Sequence, residues 1–297
     1  VIRVGTRASA LALAQAGWVA SRIKDAELVE ITTAGDRGER EQDKSRWISE
    51  LERALLEGRI DIAVHSAKDV PTELTAGTTI LAVPRREDPR DAICGSPSLD
   101  ALPAGARIGT SSLRRAAQVR ALRSDLEIAE LRGNVDTRLR KLAAGEADAI
   151  ILAVAGLERL GLTDAIGGTL DGLLPAPGQG ALILQGRRDD ELARELQASV
   201  GNAAADALRA ERELARALGA SCNTPIGALA DALDGDGQPL PDGDVHLRGW
   251  VGLPDGSRWI ADELVGAPDQ VGLQMAGRML AAGAQELLQQ SEEMART

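Results

Sequence analysis

Four short segments of this 297-residue chain place arginine, lysine, serine and aspartate where a strand-like run turns into a helix. In Gly5-Thr6-Arg7-Ala8-Ser9, free backbone N–H groups and the positive end of a helix dipole gather at one point, which suits a carboxylate or phosphate. Arg7 adds a two-pronged donor for the same anion, although a strand-turn-helix with one arginine serves structure more often than binding. The stretch Ile108-Gly109-Thr110-Ser111-Ser112-Leu113-Arg114-Arg115 repeats that geometry with hydroxyls at the turn and two guanidiniums in the first helical turn. Positive charge there opposes the helix dipole by about 0.3–1 kcal/mol per residue, so Arg114 and Arg115 call for a bound anion or for acidic neighbours. Arg132 and Arg138 bracket a third such junction, Leu131-Arg132-Gly133-Asn134-Val135-Asp136-Thr137-Arg138. Arg132 stands at the carboxyl end of its strand, where open α/β sheets bind ligands. Arg138 is open to a second reading, a surface bridge to Asp136 or Glu146. The fourth segment, His65-Ser66-Ala67-Lys68-Asp69, sets a carboxylate beside a lysine. An ionised Asp69 could stabilise a developing cation or shuttle a proton, and a salt-bridged loop is the plainer alternative.

These segments are held by an alternation of strand-like and helix-like patterns, the mark of an α/β architecture. Val1 to Gly5 reads as a strand, and Ser9 as the cap of a helix reaching Ile23. Val29 to Thr33 is a second strand, and Gly35 to Lys44 is polar and without periodicity. A helix opened by Ser45 sets Trp47, Leu51 and Leu55 on one face and stops at Gly58. Ile60 to Val64 reads as a buried strand, and Pro84 to Pro89 as a crossover between domains. The same grammar returns: a strand ends at Gly109, a helix runs to about Leu122, and Ile128 to Leu131 is extended. Val135 to Leu142 is helical, and Ala149 to Val154 is another buried strand. The segment from Leu174 to Gly178 marks a return to the first domain. From Asn202 a helix, Gly- and Asp-rich hairpins and a last helix near Val271 to Gln290 describe a smaller α+β domain. The predicted domains are residues 1–84 with 181–198, residues 90–174, and residues 202–297.

Composition narrows the function. The formal net charge of -11 argues against nonspecific nucleic-acid or anionic-membrane binding. Within that acidic chain, Arg107 to Lys141 holds nine Arg or Lys against four Asp or Glu, a local reversal suited to a small polyanion. Four Trp with no Phe or Tyr require cores of Leu, Ile, Val and Ala. Cys94 and Cys222 form no zinc set or disulfide framework, and His65 and His246 are too few for a metal cluster. No signal peptide or apolar run of about 18 residues is visible, so a cytoplasmic setting is expected. There is no GxxxxGK loop, no complete GxGxxG fingerprint and no HExxH. Adjacent strand residues point to opposite faces, so His65 and Ser66 make no triad. The residues alone reach a carboxylate-rich ligand in an arginine- and serine-lined cleft between two α/β domains.

Taken together, the segments resemble the porphobilinogen deaminases along essentially the whole chain. The matching stretches include Gly5 to Ser9, Ala63 to Pro71, Arg86 to Asp91, Gly109 to Arg115 and Leu131 to Leu139. They continue through Ile151 to Leu157, Pro177-Gly178-Gln179-Gly180-Ala181 and Ser221-Cys222-Asn223-Thr224-Pro225-Ile226-Gly227. The resemblance implies three domains, two of them periplasmic-binding-protein-like α/β lobes around a cleft, with a small α+β C-terminal domain. It implies a transferase that joins four porphobilinogen molecules head to tail and releases ammonia, using a dipyrromethane bound to Cys222 through a thioether. It assigns the catalytic role to Asp69. Carboxylates of cofactor and substrate fall to Arg7, Ser9, Ser66 and Lys68 in the first lobe. In the second they fall to Thr110, Ser111, Ser112, Arg114, Arg115, Arg132, Gly133, Arg138 and Arg159, with Gln179. Porphobilinogen is the implied partner, without nucleic acid or membrane, and the implied working form is a monomer.

The chain departs from the family pattern in three places. Gly35 to Lys44 is shorter than the lid loop of many members, with Lys44 as its candidate contact. Trp47 stands where Phe is common. Ala220-Ser221 precedes the cysteine where Gly-Gly is common. A two-lobed binding protein without chemistry would keep the arginines but have no use for Cys222 or Asp69.

Overall fold

The computed structural model describes residues 1–31, 45–188, 192–220, 224–232 and 243–296, without the side chains of residues 45–47, 295 and 296. In chain order the elements begin with β1 (Ile2–Thr6), α1 (Ala10–Ala20), β2 (Ala26–Glu30), α2 (Ser45–Leu56), β3 (Ile62–Ser66) and β4 (Thr78–Ala82). They continue with β5 (Asp91–Cys94), β6 (Arg107–Gly109), α3 (Leu113–Leu122), β7 (Glu127–Ala129), α4 (Val135–Ala143), β8 (Ala149–Ala153), α5 (Val154–Arg159) and β9 (Gly168–Thr169). The last are β10 (Leu182–Arg187), α6 (Leu192–Val200), α7 (Ala205–Ala217), β11 (Ile226–Asp231), β12 (Val245–Gly252), β13 (Trp259–Gly266), α8 (Val271–Ala281) and α9 (Ala284–Arg296).

Two compact units result. The first comprises Val1–Glu87 with Gly180–Ala205, and the second Asp88–Gln179 with Asp206–Thr297. In the first unit the sheet order is β2-β1-β3-β10-β4. Strand β1 lies between parallel neighbours, and β10 runs antiparallel to β3 and β4. Helices α1 and α6 cover one face, where Val4, Val19, Ile62, Leu184 and Leu196 form a core; α2 covers the other with Leu51, Leu55, Ile60 and Ala63. Strand β3 is buried on both faces at its first four positions; Ile62, Ala63 and Val64 continue the apolar run read from Ile60 to Val64, and the strand runs on through the buried polar His65 to Ser66.

The second unit holds a sheet of the same design, β7-β6-β8-β5-β9, with β6 between parallel neighbours and β5 antiparallel. In β8 the side chains alternate strictly. Ala149 and Ile151 join the core with Val119 of α3, and Ile150 and Leu152 join the one under α4 and α5. The same unit carries a three-stranded antiparallel sheet, β11-β12-β13. Helices α7, α8 and α9 pack on one face of it around Leu214, Val251, Met275 and Met279.

The sheet and helix plan is the α/β arrangement with a small C-terminal α+β part that the sequence implies. Three details differ. The last helix is two, because Gly283 turns the chain at φ +98. Strands β4, β5, β9 and β10 and helix α6 were not expected; β5 and β10 each enter their sheet antiparallel, directly after a crossing segment. The strand read at Val29 to Thr33 pairs with β1 over Ala26–Glu30, residues 32 and 33 lying outside the described residues, and the one read at Ile128 to Leu131 is β7 over Glu127–Ala129.

Candidate functional site

In the first unit, β1 and β3 are parallel neighbours, so the segments after their carboxyl ends meet. After β1 the chain passes Arg7 and turns into α1 at Ser9, whose hydroxyl caps the helix by accepting from the Ala12 N–H at 3.3 Å. After β3, Ser66 leads into a 3-10 turn, Ala67–Asp69. Gln15 of α1 ties the two together, donating Nε2 to Ser66 Oγ at 2.8 Å. Between them lies a cavity of about 80 Å³ whose lining includes Arg7, Ser9, Gln15, His65, Ser66 and Asp69. Four of the residues singled out in the sequence (Arg7, Ser9, Ser66 and Asp69) are therefore gathered at one place. Lys68 is half-buried on the same turn but does not line the cavity. Burial pushes the His65 imidazole down to about 4, against smaller upward pulls from Gln185, Glu52 and Asp69.

The second unit builds its site at the start of α3. Ser112 caps the helix, accepting from the Arg115 N–H at 3.5 Å, and buried Thr110 accepts from the Ser112 N–H at 3.2 Å. Arg114 and Arg115 do not face solvent. Arg115 donates Nε and Nη2 to Asp91 Oδ1 at 3.0 and 2.7 Å, and Nη1 to the Ile151 carbonyl at 2.9 Å. Arg114 pairs with Asp91 Oδ2 at 2.8 Å and donates to the Leu174 carbonyl. Gln179 completes the set, donating Nε2 to Asp91 Oδ1 and to the Pro89 carbonyl at 2.8 Å each. Burial alone would push the Asp91 carboxyl up. The attraction of Arg114 and then Arg115, with their hydrogen bonds, outweighs it and holds Asp91 well below the usual carboxylate range. Of the two answers open for the paired arginines, a bound anion or an acidic neighbour, the structure supplies the neighbour. Asp91 has a signal in the sequence only in hindsight: two arginines against a helix dipole require an acid somewhere.

Arg138 of α4 donates Nε to the Gly133 carbonyl at 2.7 Å and Nη2 to Ser111 Oγ at 3.2 Å. The alternative of a surface bridge is replaced, because Asp136 pairs with Arg140 and Glu146 with Lys141. Burial, then repulsion from Arg115, lowers the Arg138 guanidinium to about 10. Among the described residues no carboxylate stands against it. Arg132 is exposed and bonds Glu130 through Nε at 2.6 Å. Arg159 ends α5 half-buried, apart from the bonds just described. Lys44 and Cys222 lie outside the described residues, and of Trp47 only the backbone is described, within α2. Cys94 is buried in β5, where burial pushes its thiol up to about 11, so it is a poor nucleophile at neutral pH.

Two family models account for the chain. "Porphobilinogen deaminase, dipyromethane cofactor binding domain" matches residues 2–195, and "Porphobilinogen deaminase, C-terminal domain" matches residues 205–281. The chain belongs to the porphobilinogen deaminase family. A porphobilinogen deaminase of Thermus thermophilus is 45% identical over 304 residues, covering 98% of this chain and 99% of that protein. One from Roseiflexus is 46% identical over 303 residues, covering 96% and 97%. Among solved structures, the methionine binding protein MetQ is similar over 67% of this chain and 89% of its own, at 16% identity and a TM-score of 0.44. As a porphobilinogen deaminase family member, the chain is a transferase of tetrapyrrole biosynthesis with a domain that binds a dipyrromethane cofactor. The donors present fit such a group, whose pyrroles bear carboxylates. The half-buried Arg138, repelled by Arg115 and met by neutral oxygens only, is matched to an anion brought by a ligand.

Proposed function

We propose that this chain deaminates porphobilinogen and joins four molecules head to tail into linear hydroxymethylbilane, releasing ammonia, with Cys222 carrying the dipyrromethane through a thioether. The observation that carries the reading is the cavity that sets the Asp69 carboxylate among Arg7, Ser9 and Ser66 at adjoining strand ends. When bound, the dipyrromethane supplies the free pyrrole α-carbon on which the product grows.

In porphobilinogen the C–N bond to the leaving ammonia breaks as the pyrrole nitrogen donates electron density, so positive charge develops on that nitrogen. Asp69 meets the charge with a fixed carboxylate, worth most in a site sheltered from water. It also accepts the proton lost after the new carbon–carbon bond forms. Arg7, Ser9, Ser66 and Lys68 hold substrate carboxylates on one side of the reaction. Arg132 and Arg138, with the Thr110-Ser111-Ser112 turn, Gly133 and Arg159, hold those of the cofactor and growing product. Arg114, Arg115 and Gln179 support that second set through Asp91. Lys44 contributes from the lid loop and Trp47 from the start of α2. The enzyme acts as a cytoplasmic monomer, a reading supported by family resemblance and by two cysteines that form no disulfide framework.

The test is the intact mass of the denatured protein, followed by peptide mapping. A two-pyrrole adduct on the Cys222 peptide is expected. An unmodified protein that gains no adduct and no turnover after porphobilinogen or preformed hydroxymethylbilane is added would make it a binding protein and sink the proposal.

A further inference from the structure

His65 belongs to the cavity wall, yet the chemistry above gives it no part. It sits four residues before Asp69 and is only 6% exposed. Behind it lies a buried polar network that reaches the far side of the same loop. Glu52 of α2, also 6% exposed, accepts from the Thr75 hydroxyl at 2.5 Å and from the Thr75 N–H at 3.3 Å. Gln185 of β10 donates Nε2 to Glu52 at 2.7 Å and to Thr78 Oγ1 at 2.8 Å. The segment from Asp69 to Thr75 is thus pinned at its end by Glu52 and at its start by β3.

His65 stands between these two anchors. It pairs with Ile183 in the β3–β10 register, and Gln185 pairs with Ala63, so His65 and Gln185 project from the same face. His65 Nε2 and Gln185 Oε1 are both buried and neither meets full hydrogen-bond geometry among the described residues, yet Gln185 is near enough to act on the ring as a hydrogen-bond partner that raises its proton affinity. Unsatisfied buried polar atoms are rare in folded proteins and ask for a reason. The charges that act on the ring are Glu52 from α2, Asp69 from its own turn and Arg7 from the segment after β1. Apart from the imidazole, Arg7 and Asp69 are the ionisable members of the cavity wall. A protonated ring there would attract both Glu52 and Asp69 and so offset part of the charge that a developing substrate cation needs.

Resting on the function proposed above, we infer that His65 is a positioning residue: its uncharged ring links the Glu52–Gln185 network to the turn of Asp69, fixing that carboxylate while leaving its charge for substrate. The low proton affinity of the buried ring agrees with this.

The test compares His65→Leu, which keeps apolar volume, with His65→Asn, which keeps a polar neutral group, each in protein carrying its cofactor. His65→Leu is expected to load cofactor normally and hold KM within about twofold while kcat falls about ten- to a hundredfold, the loss typical of a misplaced catalytic group. His65→Asn is expected to recover most of it. Alongside, NMR of the ring in ¹³C,¹⁵N-histidine-labelled holoenzyme is expected to show a neutral imidazole from pH 5 to 8. Its signals should shift in both Glu52→Gln and Asp69→Asn. Wild-type kcat in His65→Leu would overturn the inference. Should that variant fail to fold, ring signals unmoved by either substitution would overturn it equally. Neither result bears on the Cys222 adduct, whose absence would instead sink the functional reading.

Discussion

Replacing Arg115 by alanine removes three donors at once: Nε and Nη2 from Asp91, and Nη1 from the Ile151 carbonyl. Asp91 has no solvent exposure, so no solvent already in contact with it takes over the lost bonds. Breaking a buried charge pair from one side costs about 3–5 kcal/mol. The lower end applies here, because Arg114 stays 2.8 Å from Oδ2 and Gln179 stays 2.8 Å from Oδ1, leaving a neutral pair. A loss of about 3 kcal/mol is a large part of a typical stability of about 5–15 kcal/mol. Arg132→Ala deletes the same charge from an exposed pair with Glu130 and should cost about 0–1 kcal/mol. Urea unfolding of both variants, at cofactor occupancies matched by intact mass, reads the difference from the midpoint shift. Equal losses in the two variants would refute the assignment of Arg115 to Asp91. The functional outcome converges: both should fail to assemble or extend the cofactor, Arg115→Ala through a loosened α3 and Arg132→Ala with its fold intact. Wild-type turnover in Arg132→Ala would remove it from the ligand set.

Asp91→Asn tests the same cluster by pH. A carboxyl held below its unfolded value of about 3.9 contributes stability that is complete above that pH and lost as pH falls, by about 1.4 kcal/mol per unit. The variant should start less stable at pH 7 and show a shallower decline below pH 4 in acid titrations of unfolding; an unchanged slope would mean Asp91 is not the titrating group. Asp69→Ala should fold and carry the cofactor but lose about 10²–10³ or more in kcat, as expected when a preorganised charge is removed; steady-state turnover checks it, and appreciable activity refutes the role. Arg138→Met removes a half-buried cation that has no carboxylate partner among the described residues. Thermal unfolding should find the cofactor-free variant at least as stable as wild type, while the stabilisation gained on cofactor loading shrinks. Gly256→Ala places a Cβ within 2.6 Å of the Ala121 nitrogen and 2.8 Å of the Ala117 carbonyl oxygen, at φ +74. It should lift the β12–β13 turn from α3 and cost about 2 kcal/mol or more in urea unfolding.

What could be read from the sequence was whatever depends on near neighbours. Ser9 and Ser112 cap their helices because a hydroxyl needs only the next turn to find an N–H. Leu51 and Leu55 are buried on one face of α2 because helical period fixes which side chains share a face. Strand β8 was recognisable because burial on both faces demands an unbroken apolar run. The parts that escaped depend on distant partners. Asp91 opens a four-residue strand, too short to show a period, and its arginines, Arg114 and Arg115, lie far along the chain, Arg115 at 24 positions. Gln185 looks like an interruption in the apolar run of β10, and only its bonds to Glu52 and Thr78 explain it. Arg138 was read with two possible acids nearby in sequence, and helix geometry gave one of them to Arg140 and the other to Lys141.

The placement of Asp91 explains why the second unit can keep two arginines at a helix N-terminus. It is the first residue of β5, the strand that enters antiparallel beside β8 immediately after the segment crossing from the first unit. Gln179, which binds it, lies on the segment leading back, and Arg114 reaches the Leu174 carbonyl on that same segment. One buried carboxylate thus holds the start of the entering segment and, through Gln179 and Arg114, the returning one. Its single charge, shared between the two guanidiniums, offsets one of them and eases their opposition to the dipole of α3, leaving one net positive charge. With Arg114 and Arg115 occupied internally, the anion-binding capacity left near that turn rests on the hydroxyls of Ser111 and Ser112 and on Arg138, whose charge Arg115 disfavours. A ligand carboxylate arriving there meets a cation already fixed by Gly133 and Ser111 and lacking a counter-charge among the described residues. On the proposed function, the internal clamp supplies rigidity and positive potential and Arg138 the contact, so substitutions at the two places should separate stability from cofactor binding.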